Sequence, residues 1–237
     1  LAITTVMVFL FILGPLFIAR GNVLATRTGA KLSYLLYFAC LGAGFIVVEV
    51  AMVQKFILFL GHPVYSLTVV LFSLLTFSGI GSYVSRKLDD DHLVPMAARI
   101  IMVLAVLIIA YILILPPIFY GLVQLARPLR IVIAVVLMAP LALVMGMPMP
   151  AGIRILAKNT PGMIPWAWGV NGATSVMGSV GALSIALLTG FNQALVVGAA
   201  LYLLAAFFIS RRAALPAESE LVSELKTEPA TSVPIQS

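Results

Sequence analysis

Apolar residues run through this chain in successive stretches of about twenty, with only short polar breaks, as far as about residue 210. A helix of that length crosses the roughly 30 Å hydrocarbon core of a bilayer and satisfies its own backbone hydrogen bonds on the way. With 62% hydrophobic and 9% charged residues, against about 45–50% and 25% in a soluble domain, no watery domain of any size fits within those stretches. The expected fold is all-α: a polytopic transmembrane helix bundle of about seven spans, at roughly 1–19, 33–59, 64–84, 95–115, 129–148, 166–188 and 191–210. The stretch "PPIFYGLVQLARP", within 116–130, reads as a loop or a short interfacial helix. Beyond Arg211 the composition turns polar and acidic, too poor in apolar surface to fold alone. The chain therefore divides into a bundle over 1–210 and a disordered tail over 211–237. Leu1 already lies inside an apolar segment, with no initiator methionine, so a piece of a longer chain is expected.

The cations report orientation. One set of loops and ends carries nine, Arg20, Arg27, Lys31, Arg86, Lys87, Arg154, Lys158, Arg211 and Arg212, and the opposite set two, Arg127 and Arg130. Lys and Arg favour the cytoplasmic side, so the tail is expected in the cytoplasm, and the expected home is a bacterial inner membrane. A net charge of +6 spread over short loops makes a topology signal rather than a nucleic-acid footprint.

Three polar residues interrupt the second span: Glu49, Gln54 and Lys55 in "GFIVVEVAMVQKFILFLGHP". An ionised carboxylate at mid-membrane costs on the order of 2.5–3.5 kcal/mol. Helical spacing puts Gly42, Phe45, Met52 and Phe56 on the face of Glu49, and that face is expected to point into the bundle. Glu49 then either coordinates an ion, proton or substrate, or acts as a neutral acid tying two helices together. Lys55 lies near enough to the outer end for its stem to snorkel. His62, in the "GHP" turn, reads as a turn residue rather than a metal ligand, since no second ligand stands at a suitable spacing.

In the sixth span Gly178, Ala182 and Ala186 recur every fourth residue, flanked by Ser175 and Ser179. Small residues at that spacing let membrane helices approach closely, which reads as a packing face. Asn171 is a polar group that needs a partner and a candidate site member with Glu49 and Gln54. Trp166 and Trp168 fit an interfacial anchor. "MGMPMPAG" ends the fifth span at Pro148 and Pro150, either at the interface or as part of a cavity wall. "GAG" at 42–44 and "GIG" at 79–81 lie within apolar helices and read as packing glycines. No nucleophile elbow, P-loop or zinc motif occurs, and Cys40 is the sole cysteine, so no catalytic residue, cofactor or metal is expected.

The motifs "YFACLGAGFIVVEVAMVQKFILFLGHPVYSLTVVLFSLLTFSGIGSYVSRKL", "GMPMPAGIRIL" and "PWAWGVNGATSVMGSVGA" resemble, in that order, the membrane region of bacterial spermidine-synthase-like proteins. In that family a multi-span membrane part is fused to a methyltransferase-type aminopropyltransferase domain. By the resemblance, Glu49, Gln54, His62, Pro63, Asn171 and Gly172 match positions characteristic of the membrane half. The catalytic domain needs a glycine-rich α/β segment, which this chain lacks. Three functions follow as expectations. The chain is the membrane part of such a protein, handling a small cationic or lipid-like substrate and partnered by a soluble aminopropyltransferase-like domain. Alternatively it is a scaffold or accessory subunit among other membrane subunits, or an amine or proton-coupled transporter.

Overall fold

A computed structural model describes residues 28–213, and these are almost entirely helical, with no strand among them. The helices are α1 (Thr28–Leu60), α2 (Pro63–Ser85), α3 (Leu93–Leu122), α4 (Arg127–Met145), α5 (Pro148–Asn159), α6 (Ile164–Thr189) and α7 (Phe191–Ala213), with a 3₁₀ turn at Pro161–Met163. Six stretches are long and apolar enough to cross a membrane, α4 and α5 together forming one of them. The protein is therefore a multi-pass membrane protein whose apolar helices suit a bilayer. The span expected at 1–19 and the tail beyond Ala213 lie outside the described residues.

Two of the helix connections are very tight. Gly61, at φ +78°, closes α1, with its N–H donating to the Ile57 carbonyl at 2.8 Å. This left-handed cap suits glycine, which has no Cβ to clash. His62 then caps α2: its Nδ1 accepts from the Val64 N–H at 3.2 Å. Pro63 occupies the first turn of α2, where its missing N–H costs nothing. His62 is thus a turn residue. Gly190, at φ +106°, makes the equally short link between α6 and α7.

α1 is the axle of the bundle, packed most extensively against α6 and α7, while α3 lies on α7 and α4 on α2. Tyr34, Tyr37, Phe38, Met52, Phe56 and Phe59 along α1 are fully enclosed. At one end Phe59 stacks on Phe119 of α3, with centroids 4.6 Å apart and planes 10° apart. Outward-facing leucines such as Leu113 and Leu188, 71% and 84% exposed, form the surface expected against acyl chains rather than water.

Two local expectations need correction. α3 does not stop near residue 115 but runs through Pro116 and Pro117 to Leu122. The prolines only remove donors there, and packing of Phe119 into the α1 aromatic cluster carries the helix onward. The proline-rich "MGMPMP" does end α4, at Met145, but the chain resumes at once as α5 with Pro148 at its start. Lys55 is 9% exposed, with its stem enclosed as a snorkelling side chain's is. Its stem points into the bundle because the register pairing Gly44 with Tyr202 and Val48 with Gly198 turns that side of α1 onto α7.

Candidate functional site

The residues that leave space are arranged in stripes. On α2, Leu75, Ser78, Gly79, Ser82, Ser85 and Arg86 recur at three- and four-residue steps and so share one helix face. Trp168, Asn171 and Ser175 do the same on α6, and Leu41, Gly42 and Phe45 on α1. These faces converge, with the broken α4–α5 junction, on a cavity of about 640 Å³. That volume lies within the roughly 300–1,000 Å³ of small-molecule sites.

Two close backbone crossings frame it. α2 and α4 meet with Gly81 against the Leu143 carbonyl and Gly146 against the Ser78 carbonyl, where any side chain would collide. Just beyond Gly146, Pro148 and Pro150 deny α4 a regular continuation, and Met145, Gly146, Met149 and Pro150 become cavity wall. The Tyr37 hydroxyl fixes the start of α5 by donating to the Pro148 carbonyl at 2.7 Å. On the other side Gly42 lies against the Asn171 carbonyl, Asn171 Nδ2 donates to the Phe38 carbonyl at 3.1 Å, and Ser175 Oγ donates to the Gly42 carbonyl at 3.1 Å.

One end of the cavity is charged. Arg154 donates from Nη1 to the Ser85 carbonyl at 2.9 Å and from Nη2 to the Leu88 carbonyl at 3.0 Å, and its Nη2 is paired with Asp90. Lys158 donates to the Asp90 carbonyl at 3.2 Å. This clasp closes the last turn of α2, whose final carbonyls have no partner within the helix, and it occupies both terminal nitrogens of Arg154. Arg86, by contrast, is exposed and leans over its own Tyr83 ring at 5.6 Å. Among the described residues it makes no ion pair. No Asp or Glu among the described residues lines the cavity. The site therefore offers one uncommitted cation, the Ser82 hydroxyl and the carboxamide of Asn171 among apolar walls.

Asn171 is the one member of the expected polar set that lines this cavity. Glu49 is half-buried one helical turn beyond Phe45, on the face shared with Gly42, and makes no hydrogen bond or ion pair among the described residues. Gln54 is half-buried farther along α1, also away from the cavity. Arg99 is exposed beside a smaller apolar pocket with Met96 and Met147, unpaired with Glu49. Gly178 packs against Ala43 and Ile46, 2.6 Å from Ile46 Cγ2 to where its Cβ would stand, and Ala182 and Ala186 are buried. Sequence reasoning missed Arg86, read only as a topology charge, and the hydroxyls of α2. The signal was the run of small and polar residues at helical spacing from Ser78 to Arg86. Comparison with protein-family models, curated proteins and solved structures finds no match.

Proposed function

We propose that the chain is the membrane module of a spermidine-synthase-like protein and that it binds an amphipathic molecule, apolar in body and anionic at its head, in the cavity between α1, α2 and α6. The observation that carries the reading is the lining: apolar walls and, among the described residues, an unpaired guanidinium at Arg86 and no carboxylate. A free guanidinium in a partly dry site recognises phosphate or carboxylate by charge-assisted hydrogen bonds. A polyamine would need the reverse, a carboxylate facing the ligand, and Glu49 lies outside the lining. The Arg86 end belongs on the cytoplasmic side of a bacterial inner membrane by the bias of Lys and Arg toward that end. The accessory-subunit reading loses its main support, because the face of Gly178, Ala182 and Ala186 is already covered within the chain.

Thermal unfolding in mild detergent tests the reading. Decyl phosphate should raise the midpoint of the wild-type protein and leave Arg86→Gln unmoved. Stabilisation by decylamine or spermidine in place of the phosphate would reverse the assignment.

A further inference from the structure

The cavity has a depth and a side opening that the proposed binding function does not by itself require. Its charged end is at Arg86, just past the last turn of α2, and its far end is at Leu75, the midpoint of that helix. Eleven residues at about 1.5 Å each separate the two, roughly 16 Å, close to half of a hydrocarbon core of about 30 Å. The lining thus runs from the membrane surface to the bilayer centre and stops there.

Its flank is open at membrane depth. α2 and α6 supply facing walls yet make at most marginal contact with each other, and α1 floors the gap between them. Leu75 and Trp168 both line the cavity and are 73% and 58% exposed. At Gly79, also in the lining, a side chain would meet nothing within 4 Å. An opening at this depth faces acyl chains, not water.

We propose that the cavity is a lateral groove for one anionic phospholipid of the adjoining leaflet, its phosphate at Arg86 and one acyl chain along α2 as far as Leu75. The second chain stays in the bilayer through the gap between α2 and α6. Three matches select this occupant: the free cation lies where phosphates lie, the apolar wall lies where chains lie, and entry is from the side where lipids are. The inference rests on the amphipath-binding reading and adds the source of the ligand and its route.

Trp166→Phe leaves Trp168 as the sole tryptophan, since the chain has two. This protein is placed in phosphatidylcholine vesicles containing a small fraction of either phosphatidylglycerol or phosphatidylcholine with brominated chains, which quench indole on contact. The brominated anionic lipid should quench Trp168 with an apparent affinity about tenfold above that of the zwitterionic one, the share of one charge-assisted hydrogen bond. Adding Arg86→Gln should remove the preference and Arg86→Lys should restore part of it. Among the described residues the Arg86 guanidinium makes no hydrogen bond, so cooperative unfolding should be retained in both variants. Equal quenching by the two lipids, or a preference that survives Arg86→Gln, overturns the proposal. If decyl phosphate still stabilises the protein in that case, the cavity binds amphipaths but fills from water. If it does not, the binding function itself falls.

Discussion

Gly81 and Gly79 lie two residues apart on α2, and the structure gives them opposite roles. At Gly81 a Cβ would run into the Leu143 carbonyl oxygen and lie 2.9 Å from its carbon. Relieving the carbon contact alone to the ordinary ~3.5 Å needs α4 to retreat by about 0.6 Å, and the oxygen requires more. The obstacle is helix backbone, which cannot rotate aside as a side chain does. Overpacking of this kind costs about 1–3 kcal/mol, and separating the helices also weakens any Cα–H···O contacts there, worth about 0.5–1 kcal/mol each. Less the roughly 0.5–1 kcal/mol that alanine gains as the better helix former, Gly81→Ala should lose about 1–3 kcal/mol. Gly79→Ala meets nothing within 4 Å and should gain about 0.5–1 kcal/mol from the better helix former. Equilibrium unfolding of both variants in the same mild detergent makes the comparison. The argument for a backbone-tight α2–α4 crossing is refuted if Gly81→Ala is as stable as Gly79→Ala.

Two further outcomes concern the clasp and the α2–α3 loop. Arg154→Gln strips the Ser85 and Leu88 carbonyls of their charged donor and should cost about 1.5–3 kcal/mol. Asp90→Asn, at a half-exposed carboxylate, should cost no more than about 1 kcal/mol; equal losses in an unfolding titration would show that the ion pair, not the carbonyl capping, holds the loop. In the same loop His92 Nδ1 lies 2.9 Å from Asp89 Oδ2. That hydrogen bond, reinforced by the charge of Asp89, raises the imidazole above its usual range, and the bond to His92 holds Asp89 below the usual carboxylate range. The pairing contributes above the ordinary Asp value of about 3.8 and below the ordinary His value of about 6.5. It fades as pH rises through the elevated His92 pKa or falls through the depressed Asp89 pKa. Histidine NMR should show one of the two imidazoles titrating high and returning toward about 6.5 in Asp89→Asn; an unmoved titration would disprove the pairing.

Much of the fold can be read along the chain. The spans expected from 33 to 210 match helices α1 to α4, α6 and α7 to within a few residues at most ends, α5 having no counterpart, and "GHP" makes the turn its residues suggest. The misses are where tertiary contact outweighs a local signal. Pro116 and Pro117 read as a stop, yet Phe119 has a place waiting against Phe59. The candidate site was legible at Asn171 and at the Pro148–Pro150 break, for which a cavity wall was one of the two readings. Glu49 drew attention because a lone acid is costly in lipid, but cost marks a residue as unusual without saying what lies beside it.

The sequence by itself determined that this protein is a bundle of membrane-crossing helices and roughly where each begins and ends. Burial of apolar side chains in a bilayer and backbone hydrogen bonding within a segment are local quantities, summed residue by residue. The tertiary structure alone decided which faces meet and which stay apart. The clasp joins Arg154 to Ser85 and Leu88, more than sixty residues away, and a step of two residues, about 200° round the helix, makes Gly81 a contact and Gly79 an opening. Small residues look alike to any periodic analysis, and only the helix opposite determines whether the space they leave is filled by backbone or left for a ligand.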